Sequence, residues 1–237
     1  MENLDVQLAA NRAYLEGWSV DTRDDPLTYR SGVPHPTLNG VLRVLDADPA
    51  RAYERARTRL SGVPWIWWVG PDSTPGTAEA LIGLGATELV RAPIMAVEAD
   101  RVADVPTAVS VGVTEDVEEF VTAYARVSGI VPEGVAAAVE REKSFDGRVV
   151  RVAGRVEGRI AGTAEIWFSH GLATLYFVGT QPDRRRRGIA AAVTRAAVRL
   201  AYERGARTVS LTSSVMAVPL YRALGFHEIG EYRLLTF

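Results

Sequence analysis

The sequence predicts an α/β (α+β) protein, in which mixed, mostly antiparallel sheet is flanked by helices. Of its 237 residues, 47% are hydrophobic, enough for one large core or two ordinary ones. The second half holds three neighbouring strand-like runs, "RVVRVAGRV", "RIAGTAEIWF" and "ATLYFVGT", separated by glycine or charged residues. A long helical pattern, a further strand and a short helix then follow towards the end of the chain.

The elements of the second half can be predicted in order. Helices are expected around Glu115–Arg126 and Glu133–Glu142, ahead of the three strands. A third helix is expected over Gly188–Arg204, and one face of it carries Ile189, Val193, Ala197 and Leu200. The strand "TVSLTSS", the short helix "AVPLYRAL" and the strand "EYRLLTF" complete the predicted fold.

The first half is less regular, and a candidate boundary separates it from the second. The segment Glu98–Asp116 follows the strand-like run "RAPIMAVEA" and precedes a helix that Thr114 is expected to cap. We therefore expect one domain over residues 1–103 and another over 109–237. The runs "ALIGLGATELV" and "PLYRALGFHEIG" share leucine, glycine and glutamate at an offset of 140. Two copies of one fold would show this echo, but so would chance, since helix, glycine and strand often follow one another.

Composition excludes several classes of function. A net charge of −2 and a pI of about 6.0 provide no overall field for nucleic acid or anionic membrane surfaces. The absence of cysteine excludes disulfides, thiolate catalysis and sulfur-based zinc sites, and the three histidines lack metal-ligand spacing. No stretch approaches the roughly 18 apolar residues of a membrane span, and the first residues do not resemble a signal peptide. We expect a cytoplasmic protein with neither a metal nor a membrane partner.

The run "RRRRG" places four arginines directly before Gly188, at the start of the predicted third helix. The first amides of a helix lack internal partners and the helix dipole is positive there, so an anion is attracted. Ala190 and Ala191 keep bulky side chains away from those amides. A solvated basic loop and a nucleic-acid patch are the alternatives, although a patch would spread basic and aromatic residues along a face. Binding of a small cofactor's phosphates is the favoured interpretation.

Two motifs resemble the GNAT superfamily of acyl-CoA-dependent N-acetyltransferases. The family signature Arg/Gln-x-x-Gly-x-Gly/Ala, between a strand and a long helix, is matched by Arg185, Gly188 and Ala190. A later family motif is matched about 35 residues on by Leu220, Tyr221, Leu224, Gly225 and Phe226. The resemblance covers about residues 109–237, and the first half resembles the degenerate first copy of tandem members. It implies two GNAT-like domains.

The resemblance implies acetyl-CoA as cofactor and assigns residues to hold it. Val178 falls where a strand amide receives the thioester oxygen, so that negative charge develops beside a preset donor. Gly179 and Thr180 fall along the pantetheine arm, and Ser214 stands where many relatives have asparagine. The residues matched to the pyrophosphate are Arg185, Arg186, Arg187, Gly188, Ala190 and Ala191.

The same resemblance proposes an acid but leaves the base weakly supported. Tyr221 matches a tyrosine that donates a proton to the departing CoA thiolate, the alternative being a core tyrosine of an amphipathic helix. Thr174 stands where several lysine acetyltransferases carry a glutamate. The nearest carboxylate on a neighbouring strand is Glu165, which shares a face with Trp167 and is the candidate base through a water.

A poor base favours an easily deprotonated acceptor. An α-amine has a pKa of about 8 against about 10.4 for lysine, a difference of roughly 3 kcal/mol. We therefore expect an α-amine of a peptide, amino acid or small metabolite; alternatives are protein lysine acetylation and a non-catalytic CoA-binding module. A groove between two copies would hold this acceptor, with "SGVPHPTLNG" and the tryptophans of the first half as candidate walls.

Overall fold

The computed structural model describes residues 4–21, 25–46, 48–105, 109–145 and 147–237. The α-helices in these ranges are α1 (Leu4–Gly17), α2 (Pro49–Arg59), α3 (Thr77–Gly83), α4 (Val117–Ser128), α5 (Pro132–Lys143), α6 (Ile189–Glu203) and α7 (Val218–Ala223). The strands are β1 (Leu27–Arg30), β2 (Asn39–Arg43), β3 (Ile66–Val69), β4 (Thr87–Glu98), β5 (Ser110–Val113), β6 (Val149–Val156), β7 (Arg159–Ser169), β8 (Leu172–Thr180), β9 (Thr208–Thr212) and β10 (His227–Thr236).

All the described strands belong to one ten-stranded sheet with the order β1-β2-β3-β10-β4-β9-β8-β7-β6-β5. The pairs β2–β3 and β8–β9 are parallel, and the other described pairs are antiparallel. The predicted mixed, mostly antiparallel sheet flanked by helices is therefore confirmed. The sheet is continuous across strands from both halves of the chain.

The two halves exchange their last strands. Strand β10 lies between β3 and β4, and β4 lies between β10 and β9. The shared leucine and glycine of the 140-residue echo end α3 and α7 in the same way, with φ of 106° at Gly85 and 96° at Gly225. The amide of Gly85 donates to Ile82 O at 2.9 Å, and that of Gly225 donates to Arg222 O at 3.0 Å. The division at residues 103 and 109 stays a prediction.

Three local predictions need correction. The cap of α4 is Asp116, whose carboxylate accepts from the amide of Glu119 at 2.9 Å; Thr114 Oγ1 instead accepts from the amide of Asp116 at 3.4 Å. Strand β5 lies inside the expected boundary segment, where residues 106–108 fall outside the described ranges. Strand β10 begins at His227, four residues before the predicted start, because its first residues pair with β4.

Glycines in the sheet set how closely two helices approach it. A Cβ at Gly162 would lie 2.5 Å from Cγ2 of Ile189, and one at Gly154 would lie 2.8 Å from Cγ1 of Val193. Helix α6 therefore packs directly on β6 and β7. A Cβ at Gly179 would lie 2.6 Å from Cγ1 of Val127, so α4 packs on β8 in the same manner. These close contacts position the first turn of α6 beside the end of β8.

Candidate active site

Strand β8 leaves its neighbour β9 partway along its length. The two strands pair from Ala173 and Val209 to Leu175 and Leu211. Phe177 then adopts a φ of 47°, and the register of β8 against β7 shifts at this point. The hydroxyl of Thr163 donates to Phe177 O at 2.7 Å and stabilises this bulge. The remainder of β8 therefore borders an open cleft beyond its pairing with β9.

A cavity of about 520 Å³, here called the first cavity, occupies this cleft. Eight of the ten predicted cofactor-binding residues line it: Val178, Gly179, Thr180, Arg185, Arg186, Gly188, Ala190 and Ser214. Arg187 is exposed and Ala191 packs against the core, so the structure does not bring these two side chains to its wall. Arg184 also turns away, because its guanidinium pairs with Glu157 at 3.1 Å.

The turn from Arg185 to Gly188 has the backbone geometry of an anion site. The φ angles are 59° at Arg186 and 75° at Gly188, while that of Arg185 is −62°. Such alternation turns successive amides towards one concavity. The first helical hydrogen bond of α6 runs from Ala192 N to Gly188 O at 3.0 Å. The backbone amides before Ala192 therefore lie ahead of the helical hydrogen bonds. No heavy atom lies within 4 Å of a Cβ built on Gly188. The turn therefore has donors, charge and space for a diphosphate.

A second cavity of about 430 Å³ adjoins the first. The residues that line both cavities are Ser128, Phe177, Val178, Ser214, Ala217 and Tyr221. The first half of the chain supplies much of the remaining wall, including Tyr14, His35, Thr37 and Trp68. His35 and Thr37 come from "SGVPHPTLNG", so the structure brings this loop and one of the tryptophans to the expected groove. None of the described lining residues is an aspartate or a glutamate.

Tyr221 lies at the junction of the two cavities. Helix α7 carries it, its ring packs edge-on against Phe226 with centroids 5.7 Å apart, and the residue is 6% exposed. Burial raises the pKa of its hydroxyl well above the ordinary value of 10. The hydroxyl therefore keeps its proton at neutral pH and can donate it to a basic leaving group.

Glu165 does not line either cavity. Its side chain is fully buried, and its Oε1 accepts from the hydroxyl of Tyr14 at 2.8 Å. Burial, reinforced by the nearby Glu142, raises the pKa of Glu165 well above its usual range. Glu142 is paired with Arg151 at 2.7 Å, so this charge has a partner. Burial therefore favours the protonated form of Glu165, which is linked to the second cavity through Tyr14.

Thr174, the position of the family glutamate, is also absent from both cavity walls. Its Oγ1 lies 3.1 Å from Oγ of Ser210, within the paired part of β8 and β9. The base predicted at Glu165 is therefore not brought beside Val178 and Tyr221, and its role stays a prediction.

Comparison with known proteins identifies this arrangement. A model of the Acetyltransferase (GNAT) family matches residues 118–226, which include α6, the Arg185–Gly188 turn and Tyr221. The chain carries a GNAT acetyltransferase domain. It is 26% identical over 227 residues to a mycothiol acetyltransferase of Clavibacter michiganensis subsp. michiganensis (strain NCPPB 382), covering 88% of this chain and 70% of the relative. A mycothiol acetyltransferase of Clavibacter sepedonicus is 28% identical over 228 residues, with the same coverage.

Solved structures share the fold of this chain. A GCN5-related N-acetyltransferase from Kribbella flavida superposes with a TM-score of 0.69 at 23% identity, covering 96% of this chain and 93% of that one. The family and the two relatives together establish an N-acetyltransferase enzyme, and GNAT proteins use acetyl-CoA. In the described ranges no helix has the length and apolarity to cross a bilayer. The same residues contain no cluster of three or more potential metal ligands.

Proposed function

We propose that this GNAT protein binds acetyl-CoA in the first cavity and acetylates a weakly basic primary amine held in the second. The acceptor is an α-amine of a peptide terminus, an amino acid or a small metabolite. The observation that carries the proposal is that the two cavities meet at Val178 and Tyr221. A group entering from each side would reach the same wall.

The first cavity suits the parts of acetyl-CoA in order. The Arg185–Gly188 turn would hold the diphosphate, and Gly179, Thr180 and Ser214 would lie along the arm. When bound, acetyl-CoA supplies an acetyl group activated as a thioester. The backbone amide of Val178 would stabilise negative charge that develops on the acetyl oxygen. Arg187 and Ala191, predicted beside the diphosphate, would contribute through their backbone amides, since their side chains do not line the cavity.

Tyr221 would protonate the departing thiolate. Its hydroxyl keeps its proton because burial raises its pKa, and it lies on the wall shared by the two cavities. A general acid must carry a proton at the working pH and stand within reach of the group that receives it. The second requirement favours this tyrosine over Tyr202, which lines neither cavity.

The lining of the second cavity favours a weakly basic amine. The described wall has no carboxylate to attract a lysine ammonium group, and it presents the neutral polar groups of Asn11, Thr37 and Tyr176. An α-amine needs roughly 3 kcal/mol less than a lysine to reach its neutral form. The two Clavibacter relatives are named for mycothiol, so an acceptor related to mycothiol belongs among the candidates.

We also propose that residues 1–103 and 109–237 are two copies of one GNAT-like fold. The matched ends of α3 and α7 and the exchange of β4 and β10 support this division. In this view the first copy keeps no diphosphate turn. It contributes instead to the wall of the second cavity through α1, the His35 loop and β3.

Titration calorimetry with acetyl-CoA tests the first part of the proposal. We expect binding at micromolar concentrations, whereas its absence would contradict the assignment of the first cavity and reopen a nucleic-acid role for the arginines. A thiol-release assay then presents free amino acids, peptide α-amines, mycothiol precursors and lysine peptides with blocked α-amines. Turnover confined to α-amines or small amines supports the proposal. Binding without thiol release across the panel would favour a non-catalytic CoA-binding module.

A further inference from the structure

Two polar side chains of the first half line the second cavity and take no part in the reaction steps proposed above. His35 and Thr37 belong to the loop between β1 and β2, and both line the cavity. Oγ1 of Thr37 lies 2.9 Å from Nδ1 of His35. Nε2 of His35 lies 3.0 Å from the carbonyl oxygen of Ser128, a residue that lines both cavities. The first half of the chain therefore places an imidazole against the second half, beside the site.

The hydrogen bonds determine which nitrogen of His35 carries the proton. A carbonyl oxygen can only accept, so Nε2 must be the N–H that donates to Ser128. In neutral imidazole Nδ1 is then an acceptor, and the hydroxyl of Thr37 donates to it. If Nδ1 gains a proton, the same hydroxyl can turn and accept from it. The pair therefore has two complete hydrogen-bonding states that differ by one proton.

The loop that carries this pair is firmly held. Nδ2 of the fully buried Asn39 donates to His35 O at 3.0 Å and to Val33 O at 2.8 Å. Tyr29 donates from its hydroxyl to Thr37 O at 2.7 Å, and Trp68 Nε1 donates to that hydroxyl at 3.0 Å. Such a network orients His35 and Thr37 without engaging the Thr37 hydroxyl.

The other ionisable groups of the second cavity are neutral. Its wall also holds Tyr14, Tyr176 and Tyr221, and burial raises the pKa of each hydroxyl above its usual range. Behind Tyr14 lies Glu165, whose pKa burial also raises. Burial lowers the pKa of His35 itself, which keeps the imidazole uncharged and able to accept a proton near pH 7.

The helices packed against the loop leave this assignment intact. On α4, Tyr124 donates to Glu142 at 3.2 Å, and Arg126 is exposed. Helix α5 packs by Gly134 against Pro34, and its Glu133 is exposed. These groups are either paired in the interior or in solvent.

We propose that His35, through the hydroxyl of Thr37, takes the proton from the acceptor amine. This inference rests on the proposed function. The ammonium nitrogen of the acceptor passes one proton to Oγ1 of Thr37, while Thr37 passes its own proton to Nδ1 of His35. The amine becomes neutral with a free electron pair, Thr37 is unchanged, and His35 becomes an imidazolium that donates to Thr37 and to the Ser128 carbonyl. Thr37 touches the acceptor, and His35 acts behind it.

The first test compares His35→Gln, Thr37→Val and Thr37→Ser with the unsubstituted protein, using the amine that gives the fastest thiol release in the panel. We expect kcat to fall about 100-fold in H35Q and T37V, in the range typical of lost proton transfer. T37S should keep kcat within about threefold, since serine restores the hydroxyl. The Kd for acetyl-CoA should stay within about twofold in all three. His227→Gln, at an exposed histidine of β10, is the matched control and should leave kcat unchanged.

The pH profile separates a proton acceptor from a structural residue. For an amine of pKa about 8 that binds in its ammonium form, log kcat/KM should rise with slope one below the pKa of His35 and stay level between that pKa and about pH 8. In H35Q only the neutral amine can react, so the slope should stay at one up to about pH 8. An unchanged profile in H35Q, or a T37S variant as slow as T37V, would overturn the inference while the acetyltransferase assignment stands. If the unsubstituted protein releases no thiol with any amine, the proposed function fails and this inference fails with it.

Discussion

Ala92 pairs with Tyr232 across β4 and β10, and the two residues are 140 positions apart. The shared leucine, glycine and glutamate also lie 140 positions apart. Ala92 and Tyr232 therefore occupy matching positions of the two halves and pair with each other. Antiparallel strands paired in this way are related by a two-fold axis through that pair, as in an isologous interface.

The two β-bulges of this strand pair are related by the same two-fold axis. The register shifts once beside Ile229 on β10 and once beside Leu89 on β4, and these two residues are again 140 positions apart. A bulge is a specific feature of a strand. Its recurrence at equivalent positions is therefore stronger support for two copies of one fold than a few identical residues. The exchange of β4 and β10 joins the two halves through this symmetric pair.

Replacing Gly188 by alanine should weaken acetyl-CoA binding about tenfold or more. The residue has φ of 75°, a conformation that costs a residue with a Cβ about 1–2 kcal/mol, and it forms the turn at the first cavity. Gly158→Ala is the matched control, because Gly158 has φ of 77°, equally open surroundings and a place on the β6–β7 turn. Calorimetry should show weak binding in G188A alone, while both lose similar unfolding free energy. Equal binding in the two variants would argue against the turn.

Tyr221→Phe should lower kcat by about 100-fold or more, since it removes the hydroxyl proposed to protonate the thiolate. The ring and its packing on Phe226 remain, so the Kd for acetyl-CoA should change by less than about twofold. Tyr202→Phe, on an exposed tyrosine of α6, is expected to be indistinguishable from the unsubstituted protein. Steady-state kinetics at saturating acetyl-CoA measures the effect, and a full-speed Y221F enzyme would remove this tyrosine from the mechanism.

Arg151→Met should destabilise the fold by about 3–5 kcal/mol, because it leaves Glu142 buried without its partner. The Arg151 and Glu142 side chains are 10% and 0% exposed. Arg155→Met on the same strand breaks the pair with Glu119, whose side chains are 34% and 37% exposed, and should cost less than about 1 kcal/mol. Urea unfolding of both variants provides the comparison, and equal losses would contradict the difference in burial.

Unfolding free energy should fall as pH rises above the ordinary range of glutamate. The pKa of Glu165 is raised in the folded protein, so the native state holds a proton that the unfolded chain has released. One such proton makes stability fall by about 1.4 kcal/mol per pH unit until Glu165 ionises. Glu165→Gln should flatten this decline, whereas Glu140→Gln, at an exposed carboxylate paired with Lys143, should not. A decline of equal slope in E165Q would exclude Glu165 as its source.

Much of the second half could be predicted because its signals are local. Helix α6, its glycine at the start and the strands around it follow from periodicity and turn chemistry within short stretches. The same stretches predicted eight residues that line the first cavity. Arg187 and Ala191 were placed beside it by the motif, but helical rotation and the bend of the turn direct their side chains elsewhere.

The first half and the acceptor side resisted prediction for the opposite reason. Helices α1 and α2 and strands β1 and β2 were not predicted, since no motif marks them. Tyr14 and Glu165 are bonded across 151 positions, and His35 reaches Ser128 across 93. The sequence indicates the loop of His35 as a candidate wall of the acceptor groove, yet nothing in its residues identifies a hydrogen-bonded imidazole.

The sequence by itself determined the family, the fold class and the turn that suits a diphosphate, because each depends on consecutive residues and their backbone preferences. Tertiary structure alone decided that Glu165 is buried and has a raised pKa, that β4 and β10 exchange places, and that His35 lines the second cavity. Burial and ionisation depend on which distant groups exclude water from a side chain or hold its proton. That information exists only once the two halves have packed together.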